Sequence, residues 1–208
     1  MAHIPDGVLS VPVLAGGWAV AAAGLAIAVP RLDERAIPRT AILSAAFFVA
    51  SLVAIPVGPS SVHLLLSALM GLTIGVLAVP AVMVGLVLQA LFFGFGGLST
   101  LGINTANIAI PGILAGLAFA PLVARASPGR AGLLAGIAAA LAVAMTAGGV
   151  ALALALSSSD YVPSAKIIAV TYLPLMAGEA AITGFAVSFL KRVRPDMLAG
   201  GGAREAPA

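Results

Sequence analysis

The chain has 208 residues, 62% of them hydrophobic and only 8% charged, against roughly 25% charged in a soluble domain. That balance excludes an ordinary soluble globular protein and a disordered one. Between Arg39 and Arg125 there is no Asp, Glu, Lys or Arg at all, and at about 20 residues per span such a stretch crosses a bilayer several times.

Seven apolar segments follow one another: Val11–Val29, Thr40–Val57, Leu64–Val79, Ala81–Gly97, Asn107–Ala124, Ala131–Leu156 and Ile167–Leu190. Only Pro80 divides the third from the fourth. Fused, they would form a helix of 34 residues, about 50 Å long at 1.5 Å per residue, against a hydrocarbon core of about 30 Å.

Charge gives an independent check. With seven spans and the N-terminus outside, Arg31, Arg35, Arg39, Arg125, Arg130, Lys191, Arg192, Arg194 and Arg204 are cytoplasmic, and Lys166 alone is outside. Fusing the doubtful pair would move Arg125 and Arg130 outside and spoil the positive-inside asymmetry. The expectation is an all-α, polytopic membrane helix bundle with seven transmembrane helices, N-terminus outside and C-terminus cytoplasmic. Residues 1–198 form one domain with an inserted N-terminal arm, and 199–208 a mobile cytoplasmic tail.

The net charge of +3 does not indicate nucleic acid, because the basic residues flank apolar runs. The absence of Cys excludes disulfides, thiolate metal sites and a Cys nucleophile. Met1–Ser10 carries Asp6 and no Lys or Arg, so the basic region of a cleaved signal peptide is missing. No phosphate-binding G-x-x-x-x-G-K-[ST] loop, Ser-His-Asp set or H-E-x-x-H pair occurs. Neither ATP hydrolysis nor an intramembrane protease is expected.

The two histidines, His3 and His63, both fall on the outer side of this topology. His63 follows Gly58-Pro59-Ser60-Ser61 and is expected to open the third helix, where exposed N–H groups keep an imidazole neutral and ready for a metal. Spacing by four puts His63, Ser67, Gly71 and Gly75 on one face, a small-residue stripe turned into the bundle. Two unrelated interfacial imidazoles are the plain alternative.

His3 stands in Met-Ala-His-Ile-Pro-Asp-Gly. Ala2 is small enough for removal of Met1. The new terminus then offers the Ala2 amine, the His3 amide nitrogen and the His3 imidazole, with His63 as fourth nitrogen. Such a tetragonal nitrogen field suits Ni(II), Cu(II) or low-spin Co(II) and not Mg or Ca. If Met1 stays, an amine-x-His terminus supplies four nitrogens alone and His63 is surplus or axial.

Pro5-Asp6-Gly7 reads as a turn folding this arm back, with Asp6 serving the turn. In the polar, glycine-rich stretch before the fifth segment, Asn104 and Asn107 either hydrogen-bond the ligating imidazoles or cap the fifth helix. Glu179 lies mid-span on a face shared with Tyr172 and Thr183, and should face the bundle in a coupling or structural role. Gln89 reads as an interhelical hydrogen-bonding residue. Ala15, Ala19 and Ala23 form a second small-residue stripe, for internal packing or for a partner.

These stretches resemble the membrane-embedded substrate-capture component (CbiM/NikM) of energy-coupling-factor transporters for cobalt or nickel. The likeness rests on His3-Ile-Pro-Asp-Gly-Val-Leu, Gly58-Pro-Ser-Ser-Val-His63-Leu-Leu-Leu, Leu88 through Asn107, Leu173-Pro-Leu-Met-Ala-Gly-Glu179 and Phe189-Leu-Lys-Arg-Val-Arg-Pro-Asp-Met-Leu198. The resemblance implies an ATP-driven uptake system in which this subunit holds Co(II) or Ni(II) through its N-terminal amine, His3 and His63.

It also implies a transmembrane coupling subunit, a cytoplasmic ATPase, a small accessory membrane subunit, and a multi-pass location in the inner (plasma) membrane. The metal is cargo and no cofactor is implied. The family usually begins Met-His, whereas Ala2 intervenes here. Tyr172 stands where many relatives have His, and Ala180 where they have Gly. A membrane metal sensor or structural anchor is the alternative function, and uptake that depends on a co-expressed ATPase separates the two. Cobalt versus nickel is not written in the ligand set.

Overall fold

The computed structural model describes residues 3–53, 55–57 and 60–198, with side chains described outside 54–61 and 164–170. Seven α-helices account for most of them: α1 (Val11–Ala28), α2 (Ala36–Ala50), α3 (Ser67–Ile74), α4 (Ala78–Phe93), α5 (Leu101–Arg125), α6 (Pro128–Ser157) and α7 (Val162–Val193). Five helical stretches are long and apolar enough to cross a membrane, α3 and α4 counting together as Ser67–Phe93, and α2 is shorter. The fold is a polytopic helical bundle.

Three boundaries differ from those expected. The second apolar segment was expected to run to Val57, but α2 stops at Ala50, where the Ser51 hydroxyl donates to the Phe48 carbonyl at 2.6 Å. Beyond it, β1 (Ile55–Val57) and β2 (Ser60–Val62) form a small antiparallel ribbon pairing Ile55 with Val62 and Val57 with Ser60. Pro56 explains the change of state, since the residue before a proline is pushed out of helical conformation.

The break between the third and fourth segments falls at Gly75 instead of Pro80. Gly75 has φ 56° and ψ −125°, a conformation closed to L side chains, and caps α3. Pro80 sits in the first turn of α4, where its missing N–H has no helical acceptor to lose. The fifth helix begins at Leu101 and not at Asn107, so both asparagines are helical.

Close backbone approach sets the core. Gly71 and Gly116 meet, Gly112 lies against Gly71 and the Ser67 carbonyl, and side chains there would collide with main chain. α3 and α5 therefore run side by side in the same direction. The Ser44 hydroxyl donates to the Ala81 carbonyl at 2.7 Å and Phe47 covers Gly85, aligning α2 with α4. Gly132 against Gly184 and Gly136 against Ala180 bring α6 and α7 together antiparallel. On α1, Gly17, Ala21 and Ala28 are buried while Ala15, Ala19 and Ala23 are exposed.

At one end of the bundle the Ser10 N–H donates to Ser157 Oγ at 3.1 Å. At the other, Lys191 Nζ donates to the Ala124 carbonyl at 2.7 Å, and Arg39 lies 3.6 Å from Asp196.

Candidate metal centre

The arm ahead of α1 is held down by its own apolar residues and by two polar clasps. Ile4 and Leu9 are buried against Val150, Ala153 and Leu154 of α6. Asn104, in the first turn of α5, accepts the Ile4 N–H at 3.0 Å and donates back to the Ile4 carbonyl at 3.0 Å. It thus satisfies both the N–H and the C=O of the buried Ile4 main chain.

Asp6 supplies the second clasp. Its Oδ1 accepts from the Ser99 N–H at 3.0 Å, the Ser99 hydroxyl at 2.5 Å and the Thr100 N–H at 3.3 Å. These donors lie at the start of α5, where free N–H groups and the helix dipole favour a carboxylate. The Ser99 hydroxyl, chiefly, holds the Asp6 carboxyl below its ordinary range, with the Thr100 and Ser99 amides adding to it. Gly97 must lack a side chain because a Cβ there would overlap the Asp6 carboxylate. The Trp18 indole N–H donates to the Ser99 carbonyl at 3.1 Å and ties the same loop to α1.

So docked, the arm brings His3 to His63. Both are 4% exposed, and their Nε2 atoms stand 2.8 Å apart. Two donors cis on one ion, each at about 2.0 Å from it, have about this separation. His63 Nδ1 lies 2.9 Å from the Leu64 carbonyl, which can only accept, so Nδ1 carries the proton and Nε2 is a lone pair. His3 Nε2 then donates to it, and His3 Nδ1 is left as a buried lone pair without a partner among the described residues. Burial first, and the neighbouring His63 second, push the His3 imidazole down to about 3, and burial lowers His63 too. Both rings are neutral, the form a metal requires.

His63 was expected to open a helix. It instead follows β2 in an extended segment, and Ser67 opens α3 four residues on. The expected capping by Ser60 and Ser61 lies outside the described side chains. The N–H groups of Leu65 and Leu66 are taken by the Glu179 carboxylate from α7. Glu179 is fully buried and faces the bundle, as do Tyr172 and Thr183. Of the expected stripe, Ser67 and Gly71 do line one face of α3, against α5.

Ala2, the other expected ligand, lies outside the described residues. The Asn104 amide bonds the arm's backbone, and Asn107 lies against Gly149 of α6 with its Nδ2 unpartnered among the described residues. Gln89 is fully buried beside His3. Phe47 packs its ring 6.4 Å from that of His63. Sequence reasoning missed Phe47, Ser99 and Gly97; the Asp6-to-Gly97 complementarity is invisible until the arm and loop are brought together. Among the described residues no three His, Cys, Asp or Glu side chains converge. An ion held by both imidazoles would therefore draw its other donors from main chain, terminus, water or a side chain of another type, such as the buried Gln89 amide.

A multi-pass helical membrane protein with a paired-imidazole pocket closed by its own N-terminal arm is thus the class. Residues 3–197 match the family described as cobalt uptake substrate-specific transmembrane region, and the chain belongs to that family. It is 35% identical over 213 residues to a cobalt transport protein CbiM of Sorangium cellulosum, covering 94% of each chain. It is 30% identical to a fused nickel transport protein NikMN of Rhodobacter capsulatus, covering 99% of this chain and 65% of that one. A solved structure of a truncated transition metal transporter shares the fold, with TM-score 0.69 and 24% identity, covering 91% of this chain and 98% of that one.

Proposed function

We propose that this chain captures Co(II) or Ni(II) at the outer face of the plasma membrane, as the substrate-binding subunit of an ATP-driven energy-coupling-factor uptake system. The observation that carries the reading is the buried, neutral His3–His63 pair, which the docked arm brings into direct contact through their ring nitrogens. The remaining donors are the amine of Ala2, after loss of Met1, and the His3 amide nitrogen. Closing the six-membered chelate through His3 Nδ1 requires the ring to turn about Cβ–Cγ, and that buried nitrogen has no hydrogen-bond partner among the described residues. Asn104 and Asp6 set the arm's register, and Glu179 holds the segment carrying His63.

Seven crossings, with the N-terminus outside and the C-terminus cytoplasmic, are supported by contacts between ends. Asp6 touches Ser99, so the arm and the loop before α5 share a side, and an even number of crossings separates them. α1, α2, α3 and α4 make four; counting Ser67–Phe93 as one crossing would make three with α2 and two without it, and the same-direction packing of α3 and α5 favours separate crossings for α3 and α4. The Ser10–Ser157 and Arg39–Asp196 contacts obey the same parity. The eight residues of α3 span only about 12 Å, so this crossing is completed by the non-helical Leu64–Leu66 segment above and by the turn at Gly75 below.

A chain with no phosphate-binding loop needs a cytoplasmic ATPase, a coupling membrane subunit to transmit its cycle, and a small accessory membrane subunit. Metal content of protein purified with a native N-terminus, beside a variant extended by a few residues, tests the capture site. Stoichiometric cobalt or nickel in the first and none in the second is expected, with Met1 absent by mass spectrometry. Equal metal in both would remove the terminus from the site.

A further inference from the structure

Glu179 sits on α7, yet its hydrogen bonds go to the chain segment that carries His63. Its Oε1 accepts the N–H of Leu65 and, at 2.8 Å, the N–H of Leu66. Leu66 has φ 52°, the left-handed conformation, and is the described residues' one non-glycine with positive φ. That geometry aims two successive N–H groups at a single oxygen.

The Leu65 N–H belongs to the same peptide group as the Leu64 carbonyl, and that carbonyl accepts the His63 Nδ1 proton at 2.9 Å. Carboxylate, peptide and imidazole are therefore bonded in series, ending at the His63 Nε2 lone pair that faces His3.

We infer that Glu179 is a positioning residue for metal capture, orienting His63 and strengthening its Nε2 as a donor through the Leu64–Leu65 peptide. This rests on the capture reading given above. A carboxylate bonded to the far nitrogen of a ligating imidazole fixes its tautomer and raises its basicity. Here the carboxylate acts one peptide further out. When ionised, the carboxylate at the N–H end polarises the peptide, the carbonyl becomes a stronger acceptor, and the Nδ1 proton is drawn toward it. Hydrogen bonds in series reinforce one another where the dielectric is low, and Glu179, at 0% exposure, is in such a place.

The test is nickel titration of the full-length protein with a native N-terminus, wild type beside Glu179→Gln, following both affinity and the d–d absorption of bound nickel. Glutamine keeps an acceptor oxygen but removes the charge. The expected result is binding weakened by about ten- to a hundredfold, as for lost outer partners of metal-ligating histidines, with the band moved to lower energy. Unchanged affinity and band overturn the relay while leaving the capture site standing. Weaker binding with an unmoved band also overturns it, leaving Glu179 a packing role. A wild type that binds neither nickel nor, in a parallel titration, cobalt overturns the capture reading and the relay with it.

Should Glu179→Gln fail to fold, the wild type alone decides. The chain has three glutamates, Glu34, Glu179 and Glu205. With 13C at their carboxyl groups, nickel loading should shift one carboxylate infrared band, and an unchanged spectrum overturns the relay.

Discussion

Asn104 shows how much of the proposed site depends on a residue that touches no imidazole. Its amide bonds both polar groups of the Ile4 peptide, next to His3. Asn104→Ala leaves two buried groups without partners, at about 1–3 kcal/mol each. Arm docking should loosen on the order of tenfold or more, read as faster acylation of the N-terminal amine and faster loss of bound nickel. Unaltered acylation would mean that Ile4 and Leu9 hold the arm by themselves.

Acid should undock the arm by a separate route. Docked, His3 titrates at about 3 against an ordinary value of 6.5. Between those values the undocked arm binds more protons, so docking is at full strength above 6.5 and weakens as the pH falls toward 3, by up to about 1.4 kcal/mol per pH unit. Asp6 acts lower, since its depressed carboxyl contributes above 3.8 and is lost only below its docked value. Trp18, the chain's one tryptophan, donates to Ser99 beside the Asp6 clasp and reports both steps by fluorescence. His3→Ala should shrink the upper step, leaving the part carried by the buried His63, and spare the lower.

Helix by helix, what the sequence conveyed was apolarity, and what it withheld was backbone conformation. Hydropathy places all seven apolar stretches because lipid-facing and core-facing positions are both apolar. The break at Gly75 was assigned to Pro80 because proline is the stronger punctuation mark in one dimension. In the fold a first-turn proline is harmless, and only a glycine reaches φ 56°, ψ −125°. His3 and His63 stand out in the sequence as candidate donors because the chain holds no other histidine and no cysteine. Glu179's grip on Leu65 and Leu66 was not, since 113 positions separate it from Leu66.

The Gly71–Gly112–Gly116 contact between α3 and α5 gives a sharp element-level expectation. Any side chain there meets main chain, which cannot turn aside. Gly112→Ala should lower thermal stability by the 1–3 kcal/mol of an overpacked core, about, or abolish folding. Gly148→Ala on α6, which meets nothing within 4 Å, should be close to neutral and serves as the control. Equal melting of both variants would show that α3 and α5 are not in backbone contact.

Across the whole molecule, the proposed seven crossings tie the metal pocket to one face and the basic clusters to the other. The chain lacks cysteine, so single cysteines can be introduced without a background. Asp160→Cys, before α7, should react with a membrane-impermeant maleimide in intact cells. Glu34→Cys, between α1 and α2, and Gly129→Cys, at the start of α6, should react only after permeabilisation. Leu98→Cys, in the loop beside the arm, tests whether an even or an odd number of crossings precedes it. Four crossings from the N-terminus put it outside with the arm and His63; three put it inside. Labelling of Leu98→Cys only after permeabilisation, with Asp160→Cys labelled outside, would separate the Ser99 loop from the arm by a membrane. The Asp6 clasp could then not exist, and the capture site built on it would have to be abandoned.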